Sequence, residues 1–138
     1  MEERRLVGRP KKYNTAEEMQ EKINQYFFSC FKPMTDKKGN IVRNKFTGEI
    51  IWQQYRPYTM SGLADALDMS RQSLLNYKKN DEFFDTIERA RRKVEIYTEE
   101  KLFEKETCNG SKFSLSNNFG WADKQEIEHK IEKLEDIL

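Results

Sequence analysis

Residues 58–79 read YTMSGLADALDMSRQSLLNYKK. Two short amphipathic runs, GLADAL and RQSLLNY, are separated only by Asp68-Met69-Ser70, the spacing of two helices joined by a tight turn. Thr59 or Ser61 is placed to cap a first helix at about Ser61–Leu67, which buries Leu63, Ala64 and Leu67. Ala64 is the small residue needed where two helices cross closely, and Met69 can plug inward. Ser70 is a natural cap for the second helix. There Leu74 and Leu75 point to the core with Tyr77 at its boundary. Arg71, Gln72, Ser73, Asn76, Lys78 and Lys79 face outward.

Those outward groups suit DNA. Arginine can bridge guanine O6 and N7, and glutamine or asparagine can bridge adenine N6 and N7. A recognition helix reads bases from its N-terminal part, where Arg71, Gln72 and Ser73 stand. Lys78 and Lys79 lie further along, where phosphates would be neutralised. An ordinary helix corner would also show polar groups to solvent. Turn length, small residue, serine cap and the Arg/Gln/Asn face together favour a helix-turn-helix.

The rest of the chain bounds what this pair can belong to. At 138 residues, with about a third of them apolar and a third charged, it fits one small helical domain with a short tail. No apolar run approaches the ~20 residues of a membrane span, and MEERRLVGRPKK lacks the apolar core of a secretory signal. Cys30 and Cys108 stand alone and read as free thiols, so the sequence reads as soluble and intracellular. The net charge of +1 conceals an asymmetry: residues 1–93 carry 19 basic and 13 acidic side chains, and residues 94–138 carry 6 and 11. A basic front suggests a polyanionic partner, and an acidic back a different one.

Outward from the helix pair, the first 13 residues hold Arg4, Arg5, Arg9, Lys11 and Lys12 around Gly8-Arg9-Pro10. This basic arm has either the core of an A·T minor-groove hook or plain nonspecific attraction for phosphates. Thr15-Ala-Glu-Glu18 fits a capping box opening a helix to about Phe31, with Met19, Ile23, Tyr26 and Phe27 as its stripe and Pro33 as its stop. Asn40–Arg43 and Glu49–Trp52 flank Asn44–Gly48 and predict a hairpin (about 38–54), basic through Lys37, Lys38, Arg43 and Lys45. It serves equally as a plain surface hairpin or a DNA contact. Asp81 is expected to cap a long helix through about Glu106, with the stripe Phe84, Ile87, Ala90, Val94, Tyr97 and Leu102. A break follows at Cys108-Asn-Gly110, then a short turn with Phe113 and Leu115. Ile127, Ile131, Leu134 and Leu138 form a 4-3-4 seam in the acidic tail, too short for an isolated coiled coil.

No catalytic set emerges. The one histidine, His129, sits between Glu128 and Lys130, and two distant cysteines do not make a zinc site. Asn109-Gly-Ser-Lys112 is too short to cradle a phosphate. The expectation is a non-enzyme with no metal and no cofactor.

The order of parts resembles that of small terminase subunits, the DNA-packaging initiators of tailed bacteriophages and prophages. The resemblance runs from about Gly8 to His129. It rests on GRPKKY, the Thr-capped helix ending in Tyr26-Phe27, the hairpin insert, YTMSGLADALDMSRQSLLNYKK, DEFFDTIERARRKVE and KFSLSNNFGWADKQEIEH. It implies a mainly α fold: a helical DNA-binding domain (14–107) containing the helix-turn-helix (about 59–79) and the hairpin insert, after a flexible arm (1–13). Residues 108–138 would be a C-terminal oligomerisation and partner-binding segment. It implies a non-enzymatic homo-oligomer, a ring of roughly 8–11 subunits closed by cyclic symmetry. That ring would recognise the packaging-initiation site on double-stranded DNA in the bacterial host cytoplasm, and recruit and regulate the large terminase subunit, the ATPase and nuclease. DNA contacts are expected from Arg71, Gln72, Ser73, Asn76, Lys78 and Lys79, with Arg9, Lys11 and Lys12 of the arm.

Two readings stay open in the tail. Residues 124–138 favour a helix, while a strand contributed to a central barrel is the other reading. Phe119 and Trp121, with Ile127, Ile131 and Leu134, are expected at subunit contacts; the two aromatics could equally pack on their own helices. The competing function is a dimeric helix-turn-helix transcription regulator, and a third is a scaffold without DNA affinity.

Overall fold

Thr15 caps the first helix as predicted, but the return bond from Glu18 goes to Asn14 N in place of Thr15 N. Its hydroxyl accepts from Glu18 N at 3.1 Å, while Glu18 Oε1 accepts from Asn14 N at 3.0 Å. The computed structural model describes residues 13–122 and Leu134. Among them are five α-helices and two paired strands: α1 (Ala16–Ser29), β1 (Phe31–Pro33), β2 (Trp52–Gln54), α2 (Met60–Ala66), α3 (Arg71–Lys78), α4 (Asp81–Glu100) and α5 (Cys108–Phe119). The mainly helical class with a small β insert is the one expected. The chain divides into two compact units, Met1–Arg91 and Arg92–Leu138.

In the first unit α1 buries Met19, Ile23, Tyr26 and Phe27, a one-sided stripe at helical spacing. It packs on α2, which packs on α3. The α1–α2 approach is set by Gly62, while Ala64 is buried. A Cβ at Gly62 would lie 2.7 Å from the Tyr26 hydroxyl and 2.9 Å from Thr59 Oγ1. The same Tyr26 hydroxyl accepts from Thr59 N (3.0 Å) and donates to Thr59 O (3.3 Å), latching the start of α2 to α1. Burial pushes the Tyr26 phenol pKa up.

Helix α1 stops earlier than Pro33. Cys30 caps it, and the chain turns extended at Phe31, so Pro33 is the end of a strand, where its missing N–H costs nothing. The insert is also more than a simple hairpin. β1 and β2 form an antiparallel stem, Phe31 opposite Gln54 and Pro33 opposite Trp52. Beyond it Met34 N donates to Ile51 O (2.8 Å), Ile51 N to Val42 O (3.1 Å) and Val42 N to Met34 O (2.9 Å). This ring of three bonds is a junction from which two turns diverge, one closed by the Thr35–Ile41 bridge and one by Arg43–Ile50. The second is the predicted Asn44–Gly48 turn. The first arises because Asp36 Oδ1 accepts from both Lys38 N and Asn40 N, each at 2.9 Å.

One apolar assignment moves by one position, on α4, and one of the two expected on α3 drops out. Phe83, Ile87 and Ala90 are buried and Phe84 is 44% exposed, because 83-87-90-94 is the row that faces inward. On α3 Leu74 is buried and Leu75 is 43% exposed. The cap of α4 is Asn80, whose Oδ1 accepts from Glu82 N at 3.0 Å; Asp81 is already helical.

In the second unit Val94, Thr98, Ser111 and Leu115 are buried. Regular helix ends at Glu100, short of the expected Glu106, and a 3-10 turn covers Lys101–Phe103. Thr107 Oγ1 donates to Lys101 O at 2.7 Å and fixes the connection. The break therefore falls at 104–107, and Asn109-Gly110 lie inside α5. Gly120 ends α5 at φ +73°, and Trp121 N returns to Leu115 O (3.2 Å), closing the orphan carbonyls.

Candidate nucleic-acid interface

The helix pair forms as its sequence predicts. Thr59 Oγ1 accepts from Gly62 N (2.9 Å) at the head of α2, and Ser70 Oγ accepts from Ser73 N (3.0 Å) at the head of α3. Between them Leu67 ends α2, Asp68 adopts a left-handed φ of 60° and Met69 N donates back to Ala64 O at 3.0 Å. That one left-handed residue reverses the chain so sharply that α3 begins just after Ser70. Met69 is half-buried.

On α3 the side chains separate into two groups. Arg71, Gln72, Asn76 and Lys79 are exposed, and Gln72 Nε2 donates to Asn76 Oδ1 at 3.3 Å along one helix face. Ser73 is half-buried, and its N–H and hydroxyl both engage Ser70. Lys78 is turned towards α4, its ammonium 2.7 Å from Glu88 Oε1 and 5.8 Å from the Phe84 ring centroid. Glu88 Oε1 is buried from water and has this ammonium as its counter-charge, with Arg91 Nη1 at 4.0 Å. Tyr77 lies edge-on to Phe83 at 5.1 Å between centroids.

Tyr13 is the residue that sequence reasoning missed. It is buried, its hydroxyl donates to Leu67 O at 2.9 Å, and its N–H donates to the Tyr77 hydroxyl at 3.0 Å. The two rings meet edge-on at 6.3 Å. One side chain thus ties the chain before α1 to the end of α2 and the last turn of α3. Burial pushes its phenol pKa up, and the Asp68 carboxylate adds to the shift. The available signal was a lone aromatic between a basic run and a capping threonine. Arg9, Lys11 and Lys12 precede Tyr13 and lie outside the described residues.

Of the tail residues expected at subunit contacts, Phe119 is half-buried and Trp121 is 38% exposed, its Nε1 donating to Glu95 Oε2 at 2.7 Å. Leu134 is helical and 60% exposed. Ile127 and Ile131, like the helix-or-strand question for 123–130, lie outside the described residues. Among the described residues no group of acidic, histidine and cysteine side chains is placed to hold a metal ion, and no helix is long and apolar enough to cross a membrane.

What the arrangement can do chemically is present one arginine, one lysine and two amides on a short, rigidly fastened helix. That is a surface for hydrogen bonding and charge neutralisation. No curated protein and no solved structure matches the chain. Residues 8–127, nearly all of the basic unit and most of the rest, match the model of the DNA-packaging protein gp3 family, and the chain belongs to that family.

Proposed function

We propose that this chain is a phage small terminase subunit, a non-enzymatic packaging initiator that binds double-stranded DNA at the start site and recruits and regulates the large subunit. The carrying observation is the exposed face of α3, with Arg71, Gln72, Asn76 and Lys79 displayed from a helix capped by Ser70 in a DNA-packaging chain. Arg71 and Gln72 stand at the N-terminal end, where a recognition helix meets base edges. Lys79 follows the groove towards phosphates, whereas Lys78 fastens α3 to α4 through Glu88. Tyr13 gives the basic arm a fixed root beside α3. Arg9, four residues earlier, is within about 14 Å of that root by chain length alone, so arm and helix can engage one duplex. Work in the host cytoplasm, as a homo-oligomeric ring, completes the reading, with the acidic second unit serving assembly and the large subunit.

The test is discrimination between a duplex carrying the packaging start and a random one. Arg71→Ala and Gln72→Ala should each reduce it by about 1–3 kcal/mol for every base that the side chain bridges. Variants that bind both duplexes as the parent does would remove α3 from the interface. Native mass spectrometry tests the ring; a dimer as sole species at micromolar concentration would replace it with a two-half-site regulator.

A further inference from the structure

The insert between α1 and α2 has a use that α3 does not account for. Residues 31–56 carry six basic side chains, Lys32, Lys37, Lys38, Arg43, Lys45 and Arg56, against Asp36 and Glu49, a net charge of +4. Two of the six are occupied at the stem, Lys32 over the Tyr55 ring at 5.2 Å and Arg56 over the Tyr26 ring at 5.6 Å. The other four sit on the two turns beyond the junction.

The second turn is built to hold an aromatic ring in water. Asn44 Oδ1 accepts from Phe46 N (2.8 Å) and Thr47 N (3.0 Å), and Arg43 Nη1 donates to Gly48 O (3.0 Å). At its tip Phe46 is 96% exposed beside Lys45. An apolar ring held out in water, on a turn fixed by side-chain and bridge interactions, gains nothing for the fold.

We infer that this fork is a second contact to duplex DNA, separate from α3. Lys37 and Lys38 on one prong and Lys45 on the other neutralise phosphates, and Phe46 wedges against a base step in the minor groove. Two charged prongs suit a polymer with two phosphate rows better than a single strand. An apolar wedge flanked by cations is the usual means of kinking a duplex from that groove. The inference rests on the DNA-packaging reading for the identity of the polyanion.

The experiment uses the full chain and a fluorescein-labelled random-sequence duplex, titrated at several salt concentrations, with parent, K37A/K38A/K45A, F46A and R71A/Q72A compared. Removing three phosphate-neutralising cations should lower the slope of log affinity against log salt by up to about 2.7. Between 50 and 200 mM salt that narrows the affinity ratio by up to about forty-fold. F46A should keep the parental slope, bind more weakly and reduce duplex bending read by end-to-end energy transfer. These side chains are on exposed turns, and unchanged circular dichroism confirms intact folding. Parental affinity and slope in K37A/K38A/K45A would overturn the inference, as would an effect confined to single-stranded DNA. R71A/Q72A, which removes only base-reading groups, should bind this random duplex nearly as the parent does; if it also kept the parent's discrimination for the packaging start beside a weakened fork variant, that would count against the recognition helix alone.

Discussion

Helices α3 and α5 each follow a sharp turn, and each is held mainly by a single large apolar side chain. They are secured in opposite ways. α3 (Arg71–Lys78) buries Leu74 and is fastened at both ends by side chains: Ser70 at its head, with Tyr13 on Tyr77 and Glu88 on Lys78 at its tail. α5 (Cys108–Phe119) buries Ser111 and Leu115, has no side-chain cap at its head and is stopped by the left-handed Gly120. Phe113 on α5 is 73% exposed and Phe103 just before it 85%. The first arrangement immobilises a polar face for display. The second leaves apolar surface uncovered, as the proposed role of this segment in assembly would require. A helix that presents hydrogen-bonding groups must be rigid by itself; a helix that assembles can leave part of its packing to a partner.

That contrast can be broken in stages. The largest effect is expected from Leu74→Ala and Leu115→Ala, each costing about 2–5 kcal/mol as a buried truncation. Hydrogen exchange should show reduced protection in α3 amides for one and α5 amides for the other. A reduction spread evenly over both helices would mean that they are not held separately. Gly120→Ala forces a Cβ into left-handed backbone and should cost about 1–2 kcal/mol, with faster exchange at the end of α5; unchanged protection there would show that the stop is set elsewhere. Ser70→Ala should cost about 1 kcal/mol and fray the first turn of α3. If the urea midpoint of that variant equals the parent's, the cap is not what fixes the displayed face.

The smallest effect concerns pH. Tyr13 and Tyr26 both have phenol pKa values raised above 10.0, chiefly by burial. The folded form therefore holds these protons more tightly than the unfolded chain. Their contribution is complete below about pH 10 and is lost as pH rises through the folded values. Between about pH 9 and about pH 11 the urea midpoint should fall less in Tyr13→Phe than in the parent. An equal fall would remove Tyr13 from this dependence.

Much of the first unit was legible because its signals are local. Thr15 with Glu18 and Ser70 with Ser73 are short-range exchanges that the chain spells out in order. The errors arose where distant groups decide. Phe83 and Phe84 satisfy the helical period almost equally, and only tertiary packing selects Phe83. Asn109-Gly110 resembles a break, yet the helix is interrupted earlier, where Thr107 binds the Lys101 carbonyl. At the candidate interface the polar set on α3 could be read directly, but the diversion of Lys78 to Glu88 could not, since ten residues and a helix boundary separate them. The burial of Tyr13 was equally hidden, because its partners Leu67 and Tyr77 lie 54 and 64 residues away.

The fork of residues 31–54 begins and ends at one carbonyl: Cys30 O accepts from both Tyr55 N (3.0 Å) and Arg56 N (3.3 Å). Across that closure Phe27 and Tyr58 meet edge-on at 4.7 Å, joining α1 to the approach to α2. The stem of the insert is anchored on both through Trp52 on Phe28 (5.4 Å between centroids) and Phe31 on Tyr58 (6.5 Å), and the two turns beyond the junction are its excursion. Doubling its length would cost about 0.6 kcal/mol in closure entropy. What is displayed on the two turns can change in size and chemistry while the stem and the helices stay as they are, an open slot for variation.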